Sequence, residues 1–358
     1  MKEICIDARM AFHSGIGTYI RNIIPRIKKY FKLRLITHPD LIPEWEEFQQ
    51  SDLILTSAPI YSIEEQLKFP LLVPKTDLFW SPHYNIPLSP LRAKKRIATI
   101  HDVCHLVFGG THSLPKRLYA KLVLNAAVRM SDHLLTISEF SKEEIVKYTG
   151  VSSNKISPIP LGVDHSLFAP SSLFLETIQL PEKYFLFVST LAPHKNVSRL
   201  LAAWSLVIQE FPDWKLVLVG KKTQDQEWIN DLNRNNFLKT NVVFLEHARM
   251  EALPTIYTRA YALIHPSLYE GFGLTPLEAM SCGCPTIVSN AASMPEVCGD
   301  STVYVDPHNV EDIASKMKTL ICDQTLRKRL QVKGLQKSQQ FSWDKTAEKT
   351  MEILDKFS

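Results

Sequence analysis

The stretch Glu270-Gly-Phe-Gly-Leu-Thr-Pro-Leu-Glu278 follows a predicted strand, Ala262–Pro266, and leads into a predicted helix that begins near Pro276. Glycines let a backbone approach a phosphate closely, and the first turn of a helix offers unpaired amides to an anion. A carboxylate at each end of the stretch could accept hydrogen bonds from hydroxyl groups. The arrangement predicts a cradle for a ligand with both a diphosphate and sugar rings. A capping box between Thr275 and Glu278 is the structural alternative, but it leaves Glu270 and the glycines unexplained.

On both sides of this stretch, short β-branched runs alternate with longer helical patterns. Several runs are almost continuously apolar, as expected for parallel strands that helices cover on both faces. The predicted strands are Ile4–Asp7, Leu33–Thr37, Leu53–Leu55, Leu78–Ser81, Ile97–His101 and His133–Ser138, followed by Tyr184–Ser189, Lys215–Gly220, Val242–Leu245, Ala262–Pro266, Thr286–Ser289 and Thr302–Val305. The alternation over 358 residues predicts two doubly wound α/β domains with parallel sheets, which would face each other across a cleft.

The boundary between the two domains falls near residues 165–181, which carry Ser and Pro and show no clear periodicity. We predict an N-terminal domain over residues 1–165 and a C-terminal domain over residues 166–341. The last helical pattern, Ser342–Phe357, has apolar residues on one side. We expect residues 342–358 to pack back on the N-terminal domain.

The composition excludes a wholly disordered chain, a collagen-like chain and a disulfide scaffold. Hydrophobic residues make up 45% of the chain and charged residues 22%, which are ordinary globular values. The pair Cys282-Gly-Cys284 has no second pair to complete a zinc site, so we expect buried free thiols and no metal centre. The excess of positive charge lies within residues 1–165 and indicates an anionic partner, although no motif indicates nucleic acid. No apolar run approaches the roughly 18–20 residues that span a bilayer, and we expect a cytoplasmic protein.

A second glycine-rich segment, Ser14-Gly15-Ile16-Gly17-Thr18, opens a predicted helix. It is compatible both with an anion-binding loop and with a plain tight turn. A dinucleotide fingerprint would need a third glycine where the chain has Ile20. The segment therefore gives little support to a NAD-dependent oxidoreductase.

Six segments in the same order resemble the retaining glycosyltransferases of family 4, which have the GT-B fold of two facing Rossmann-like domains. The segment Glu270–Glu278 resembles the E-x7-E motif of that family. The other five are Gly15-Ile-Gly-Thr-Tyr-Ile-Arg-Asn22, Ile100-His-Asp102, Thr136-Ile-Ser-Glu-Phe-Ser141, Pro160-Leu-Gly-Val-Asp164 and Thr190-Leu-Ala-Pro-His-Lys-Asn196. The resemblance covers nearly the whole chain. It implies an acceptor-side N-terminal domain and a nucleotide-sugar-binding C-terminal domain.

The resemblance also implies a role for each matching residue. Lys195 would neutralise the leaving diphosphate, Glu270 would contact the transferred sugar or its phosphate, and His101 would hydrogen-bond the reacting sugar. Glu278 would bind the ribose hydroxyls, and residues 245–249 would lie near the base. The implied donor-binding residues are Gly15, Gly17, Thr190, His194, Arg249, Gly271, Phe272, Gly273, Leu274, Thr275 and Glu278.

Some residues depart from the family pattern or allow simpler interpretations. Arginine commonly stands at one of the two places that here hold Thr190 and His194, so one cation is missing unless His194 is protonated or Arg249 replaces it. Lys195 could be an ordinary surface lysine, and His101 a hydrogen-bonded core residue. His101 and His105 could bind a metal if they shared a helix face. The carboxylate that follows His101 is either a partner of the site or a helix cap.

The acceptor side carries a basic helical pattern, Leu114–Met130, which includes Lys116, Arg117 and Lys121. A basic amphipathic surface can hold anionic lipid headgroups. A solvated basic helix face is the simpler interpretation. The resemblance favours the membrane, because many family members glycosylate lipid-linked or polysaccharide acceptors.

We therefore expect a retaining, metal-independent hexosyltransferase without a cofactor. It would move a sugar from a nucleotide diphosphate sugar to a glycan or lipid-linked acceptor in surface polysaccharide, lipopolysaccharide or glycolipid synthesis. The enzyme would be cytoplasmic and could lie on the inner face of the membrane. Ile6-Asp-Ala-Arg9 and the following glycine segment look most like mannosyl-type members, which favours GDP-mannose over a UDP-sugar. The alternatives are a NAD-dependent oxidoreductase and a catalytically silent sugar-nucleotide-binding protein of the same fold.

Overall fold

The computed structural model describes residues 1–49, 52–108, 114–171, 179–221, 228–229, 232, 235–246 and 248–358. The side chains of Ser14, Leu114, Pro115 and Lys116 also lie outside the described part, and with them the predicted basic contact of Lys116. The chain forms two compact units. The first unit contains Met1–Leu161 and Trp343–Ser358, and the second contains Gly162–Ser342. These divisions lie close to the predicted boundaries at residues 165 and 341.

The first unit is built on a parallel sheet with the strand order β3-β2-β1-β4-β5-β6-β7. Its strands are β1 Glu3–Asp7, β2 Lys32–Thr37, β3 Leu53–Leu55, β4 Leu78–Ser81, β5 Lys95–Thr99, β6 His133–Thr136 and β7 Ile156–Pro158. Its helices are α1 Ser14–Ile27, α2 Ile63–Leu72, α3 Cys104–Val107, α4 Leu114–Met130, α5 Glu139–Thr149 and, from the end of the chain, Trp343–Phe357. The central strand β4 is buried throughout, as its apolar sequence predicts.

Strand β7 is absent from the predicted strands. It has three residues, Ile156, Ser157 and Pro158, and only the first is apolar. Its pairing with β6, from Leu134–Ile156 to Thr136–Pro158, defines it as an edge strand. Proline is acceptable there because an edge strand leaves one row of amides unpaired. A strand of three residues is too short to show period-two alternation, so the sequence does not predict it.

The second unit contains a parallel sheet with the order β10-β9-β8-β11-β12-β13. Its strands are β8 Tyr184–Val188, β9 Lys215–Val219, β10 Val242–Leu245, β11 Ala262–His265, β12 Thr286–Ser289 and β13 Val303–Val305. Its helices are α6 Val197–Ile208, α7 Asn236–Thr240, α8 Leu253–Arg259, α9 Leu274–Ser281, α10 Met294–Cys298, α11 Val310–Cys322 and α12 Gln324–Ser338. In each unit the chain winds outward in both directions from two central strands, β1 and β4 or β8 and β11. This doubly wound topology places ligand sites at the carboxyl ends of the strands.

The terminal helix, α13 Trp343–Phe357, closes the first unit. Its buried side chains Trp343, Ala347 and Leu354 recur on one face, as its hydrophobic pattern predicts. Thr346 donates from Oγ1 to the carbonyl of Pro160 at 2.8 Å. Arg26 of α1 pairs with Asp344 at 2.7 Å. The last residues of the chain are thereby part of the N-terminal unit.

Candidate active site

The loop between β11 and α9 holds the first glutamate of the nine-residue stretch. At its far end Gly273 has a φ of 113°, and a Cβ there would come within 2.3 Å of the Met294 methyl group. Only glycine fits both this backbone conformation and this close approach. Ser293 donates from Oγ to the carbonyls of Glu270 (2.9 Å) and Phe272 (2.7 Å). The loop is therefore held in one shape by the residues that precede α10.

The predicted capping box is wrong. Helix α9 begins at Leu274, and Gly273, in the left-handed region, takes the cap position with no side-chain cap bond. Thr275 thus lies inside the first turn, too far along to cap the helix. Glu278 instead accepts a hydrogen bond on Oε2 from the hydroxyl of Tyr257, at 3.1 Å. Burial raises the pKa of Glu278 to about 7, although the bond from Tyr257 opposes that shift.

Two side chains bond to the same oxygen of Glu270. Lys195 donates from Nζ to Oε1 at 2.7 Å, and Nε2 of His265 lies 2.7 Å from that oxygen. The carboxylate requires the tautomer of His265 that carries its proton on Nε2. Within the described residues, Oε2 of Glu270 makes no hydrogen bond. The arrangement fixes one carboxylate oxygen and leaves the other for a ligand.

The charge of Glu270 is set by these neighbours. Burial alone would raise its pKa, but the positive charge of Lys195 and the hydrogen bond from His265 hold the pKa of Glu270 well below its usual range. Lys195 and Glu270 each expose 14% of their side chains. Lys195 is therefore an ion-paired, largely buried lysine, and its interpretation as an ordinary surface residue is wrong.

The loop after β8 carries Lys195 on a short 3-10 helix, Pro193–Lys195. Asn196 follows in the left-handed region and donates from Nδ2 to the carbonyls of Pro266 (3.0 Å) and Pro307 (2.6 Å). The amide of Leu268 donates to the carbonyl of His194 at 2.8 Å. These bonds join the lysine loop to the glutamate loop, which explains why Lys195 and Glu270, 75 residues apart, meet.

Three more predicted donor residues of this unit lie outside the glutamate loop. Thr190 is exposed, and His194 is partly buried. Arg249 is exposed just before the 3-10 helix Met250–Ala252, and the structure shows no ion pair that brings it to Glu270. Of the segment predicted near the base, His247 lies outside the described residues. These roles stay predictions.

In the first unit, His101 lies two residues beyond the end of β5 and is hydrogen-bonded. Its Nε2 lies 2.9 Å from the carbonyl of Pro82, and the ring of Tyr19 meets it edge-on at 5.1 Å. Burial lowers the pKa of His101, which favours the neutral ring. Asp102 accepts from the amide of Cys104, the first residue of α3, at 2.9 Å, although Val103 takes the cap position of that helix. Its role as a partner of the site stays a prediction. His105 stacks on Tyr84, with ring centres 4.8 Å apart.

The glycine segment forms the first turn of α1. Gly15 faces open space, whereas a Cβ at Gly17 would lie 2.4 Å from the carbonyl oxygen of Ala11. Gly17 is thus required by the close approach of the preceding turn to the helix. Gly15 has no such packing reason, and it remains the candidate for contact with a ligand.

Two family models match the chain in succession. The Glycosyltransferase Family 4 model matches residues 13–167, and the Glycosyl transferases group 1 model matches residues 174–337. The O-antigen chain mannosyltransferase RfbU of Salmonella typhimurium is 30% identical over 266 residues, which cover 73% of this chain and 69% of that protein. The chain belongs to glycosyltransferase family 4. This membership overturns the NAD-dependent oxidoreductase alternative.

Other proteins resemble this family 4 glycosyltransferase. The O-antigen chain mannosyltransferase B of Escherichia coli is 29% identical over 283 residues, covering 77% of this chain and 74% of that protein. A longer relative, the serotype-specific mannosyltransferase WbdA of Escherichia coli, is 32% identical over 237 residues, which cover 63% of this chain but only 29% of WbdA. Sucrose-phosphate synthase from Thermosynechococcus elongatus superposes with a TM-score of 0.81 at 18% identity, covering 99% of both chains. Anabaena HepE in complex with UDP and glucose gives 0.80 at 17%, covering 99% of this chain and all of HepE. These structures confirm the predicted pair of Rossmann-like domains of the GT-B fold.

Sequence reasoning missed one polar cluster in the first unit of the glycosyltransferase. Arg9 donates to both oxygens of Asp7, at 2.9 and 2.8 Å, and also pairs with Glu65 of α2. His83, after β4, lies 3.0 Å from Asp7, and Asn85 donates to both oxygens of Glu65 at 2.9 Å. All five side chains are buried. The cluster fills the carboxyl ends of β1 and β4, the central strands of the sheet. In the sequence, only the segment Ile6-Asp-Ala-Arg9, quoted for its likeness to mannosyl-type members, drew attention to residues of this cluster.

Two of the predicted basic contacts lie on helix α4 within the described part of the glycosyltransferase. Arg117 and Lys121 are exposed. None of the helices in the described part of the chain is long and apolar enough to cross a membrane. Among the described residues, no three His, Cys, Asp or Glu side chains come together as a metal site.

Proposed function

We propose that this protein is a retaining, metal-independent hexosyltransferase that transfers mannose from GDP-mannose to a hydroxyl group of a growing surface glycan. The observation that carries the proposal is the Lys195–Glu270 pair beside the start of α9. The pair supplies a cation and a carboxylate with one unbonded oxygen, and the start of α9 supplies backbone amides that have no partner within the helix. A sugar diphosphate needs each of these groups.

The proposed chemistry follows from the placement of charge. As the bond from the anomeric carbon to the diphosphate breaks, negative charge develops on the leaving phosphate oxygens. Lys195 and the amides at the start of α9 would stabilise that charge without a metal ion. Oε2 of Glu270 would accept a hydrogen bond from the transferred sugar and orient it. The acceptor hydroxyl would attack from the face that the diphosphate leaves and pass its proton to the leaving phosphate, which retains the anomeric configuration.

Glu278 is suited to the ribose of the donor. Its Oε2 is bonded to Tyr257, and as a carboxylate it would accept bonds from two neighbouring hydroxyl groups. Partial burial makes that charge costly in the absence of a ligand, as the pKa near 7 indicates. Ribose hydroxyls would supply the donors that the carboxylate lacks.

The choice of mannose rests on the relatives, two of which are O-antigen chain mannosyltransferases. HepE, in complex with UDP and glucose, makes a UDP-sugar the second candidate. We propose an acceptor in O-antigen or a similar surface polysaccharide, assembled on a lipid carrier at the inner face of the cytoplasmic membrane. The exposed basic residues Arg117 and Lys121 are suited to that anionic surface.

A binding panel followed by a turnover assay tests the proposal. Thermal unfolding is measured with saturating GDP, UDP, ADP, CMP or NAD, because a ligand at a hundredfold its Kd adds about 2.7 kcal/mol of apparent stability. We expect GDP to give the largest shift, and GDP-mannose with acceptor to release GDP. A larger shift with UDP would replace the donor. Binding without any release of nucleotide in the presence of acceptor would refute catalysis and leave the silent sugar-nucleotide-binding protein.

A further inference from the structure

A cavity of about 400 Å³ lies at the carboxyl edge of the first sheet, on the side of β3. Its walls come from the segments that follow three neighbouring strands. Arg9 and Phe12 follow β1, His38 and Leu41 follow β2, and residues 57–60 follow β3. The volume is that of a small-ligand cleft, and doubly wound sheets bind ligands at this edge. The wall residues differ from those assigned to the donor.

Arg9 brings the buried polar cluster to this cavity. Only 5% of Arg9 is exposed, and its Nε and Nη2 bond to Asp7 and Glu65. Among the described residues, Nη1 of Arg9 makes no hydrogen bond. A buried donor without an acceptor is costly, and an oxygen of a ligand in the cavity would supply the acceptor. Arg9 therefore indicates a ligand that carries hydrogen-bonding oxygens.

The charges around the cavity disfavour an anionic ligand. In the buried cluster, two carboxylates stand against the single guanidinium of Arg9, because His83 is neutral. Nδ1 of His83 accepts from the amide of Asn85 at 3.2 Å, while its Nε2 lies 3.0 Å from Asp7 and donates to it. Asp40 adds a third carboxylate on the cavity wall. A phosphate or carboxylate would meet like charge here, whereas a hydroxyl group would not.

Apolar side chains complete the walls. Phe12 leaves 39% of its surface exposed, and Leu41 and Ile60 lie on the other two segments. The guanidinium of Arg21 lies 5.2 Å from the centre of the Phe12 ring, but with Arg21 counted the three carboxylates still outnumber the two arginines. A hexose has apolar ring faces and hydroxyl groups at its edge. The mixed walls therefore suit a neutral sugar.

The wall after β3 is held in one shape by the same cluster. Tyr61 has a φ of 65°, a costly conformation for a bulky residue and one that is found most often at functional sites. Its amide donates to Oε2 of Glu65 at 2.7 Å, and Ser62 donates from Oγ to the carbonyl of Pro59 at 2.6 Å. Glu65 also pairs with Arg9. The wall and the guanidinium are thus fixed relative to each other before a ligand binds.

The cavity lies away from the place assigned to the reacting sugar. His101 follows β5, and strands β1 and β4 separate β5 from β2. Three strand spacings put the middle of the cavity about 14 Å from the strand that precedes His101. A sugar in the cavity is therefore not the one whose hydroxyl reacts. It would lie further along a glycan chain.

We propose that this cavity is a subsite for a neutral hexose residue of the acceptor glycan, distant from the hydroxyl that reacts. A sugar hydroxyl would accept from Nη1 of Arg9, and the ring would lie against Phe12 and Leu41. The inference rests on the proposed function, because it takes the acceptor to be a glycan. The subsite makes the enzyme select longer acceptors, since only a glycan that reaches the cavity gains these contacts.

Acceptors of increasing length test the subsite. Release of nucleoside diphosphate is measured with methyl mannoside and with mannose oligosaccharides up to the pentasaccharide. We expect KM to fall at least about tenfold once the acceptor reaches the cavity, with kcat nearly constant, because a distant sugar contributes binding alone. Ser57→Trp, which places a large ring on the cavity wall, should raise KM for the long acceptors to the value for methyl mannoside. Ser153→Trp is the matched control, at an exposed serine before β7 on the amino edge of the sheet, and should keep the wild-type length dependence.

The possible results are distinct. A KM that does not change with acceptor length, or a wild-type length dependence in Ser57→Trp, overturns the subsite. The variant H38A/D40A removes polar groups from a second wall and should reduce the length dependence as well, which keeps the test valid if tryptophan disturbs the loop after β3. A mannose phosphate that binds more tightly than mannose would overturn the assignment to a neutral sugar.

Direct binding separates this subsite from the transferase itself. Calorimetric titration with the mannose oligosaccharides is carried out without donor on wild type and on Ser57→Trp. Oligosaccharide binding that Ser57→Trp abolishes, in a protein that releases no nucleotide with any acceptor, would support the subsite and refute the transferase. Turnover that is equal for short and long acceptors would refute the subsite and leave the transferase standing.

Discussion

Replacing His265 by phenylalanine should impair catalysis through Glu270. His265 ends β11 with only 2% of its side chain exposed, and Nε2 lies 2.7 Å from Oε1 of Glu270. Its ring also stacks on Phe187, with centres 6.1 Å apart and an interplanar angle of 21°. Phenylalanine keeps a ring in that stack and removes the donor. The substitution thus removes the hydrogen bond to a largely buried carboxylate, together with the 3.1 Å contact between Nε2 and Oγ of Ser267.

The structure sets the size of the effect. A hydrogen bond to a charged group contributes about 1.5–3 kcal/mol, so the free energy of unfolding should fall by about that amount at neutral pH. If Glu270 orients the sugar only when Oε1 is held, kcat/KM should fall by about ten- to a hundredfold, since 1.36 kcal/mol corresponds to tenfold. The change should appear mainly in kcat, because His265 itself would not touch the substrate. His265→Gln, which restores an N–H donor, should recover much of the loss.

The pH dependence gives an independent check. The pKa of Glu270 is lowered in the folded protein from 4.5, so its stabilising contribution is complete above pH 4.5 and is lost as the pH falls through the folded pKa. Without His265 the pKa of Glu270 is lowered less, so the acid loss of activity should begin at a higher pH. The acid loss of stability should still begin near pH 4.5 but should be smaller and end at a higher pH. Steady-state release of nucleoside diphosphate and thermal unfolding measure both. Wild-type kinetics and an unmoved acid limb in His265→Phe would refute the positioning of Glu270 by His265.

Three further predictions follow from single side chains. Lys195→Met should lower kcat by about a hundred- to a thousandfold in the same release assay, because it removes the cation beside the leaving diphosphate. The pKa of Glu278 is raised from 4.5 to about 7 in the folded protein, so the free energy of unfolding should fall as the pH rises from 4.5 to 7. The affinity for the donor should rise over the same range as the carboxylate ionises. Calorimetric titrations of Glu278→Gln should not show that rise in affinity. Gly17→Ala should destabilise the protein by about 1–3 kcal/mol in denaturant unfolding, because its Cβ would lie 2.4 Å from a carbonyl oxygen. Gly15→Ala, which meets no atom within 4 Å, is the matched control and should be neutral or stabilising by up to about 1 kcal/mol.

The sheets were predictable from the sequence because their strands are apolar on both faces. Twelve runs were predicted as strands, and each lies on a strand of the structure. The main errors in the predicted bounds lie at the carboxyl ends of the strands. The run Ile97–His101 ends as a strand at Thr99, and Ala262–Pro266 ends at His265. The predicted runs are too long there because they include polar residues that follow the strand. Those residues lie at the carboxyl edge of the sheet, where doubly wound folds bind ligands.

The partners of the site residues were not predictable in the same way. His265 lay inside a predicted strand, and period-two alternation does not tell which polar side chain will meet a loop residue five positions later. Glu65 lies 56 residues from Arg9, and His83 lies 76 residues from Asp7, and only the fold brings these side chains together. Helix α2 shows a related limit of sequence reasoning, because its aliphatic residues Ile63, Leu67 and Leu71 are exposed. Their spacing of four residues is that of a buried face, and the sequence does not show whether anything covers it.

The two donors on Glu270 can be tested together in a double-mutant cycle, because both bond to Oε1. In Lys195→Met the histidine still holds the carboxylate, and in His265→Phe the lysine still does. With both removed, a largely buried carboxylate without partners avoids the cost of its charge by taking up a proton. The combined loss in the free energy of unfolding should therefore be smaller than the sum of the single losses, by more than about 0.5 kcal/mol, and the acid dependence assigned to Glu270 should disappear. Denaturant unfolding of the four proteins between about pH 2 and pH 8 measures both quantities. Losses that add to within about 0.3 kcal/mol would mean that lysine and histidine act independently, and that no shared carboxylate joins the two loops.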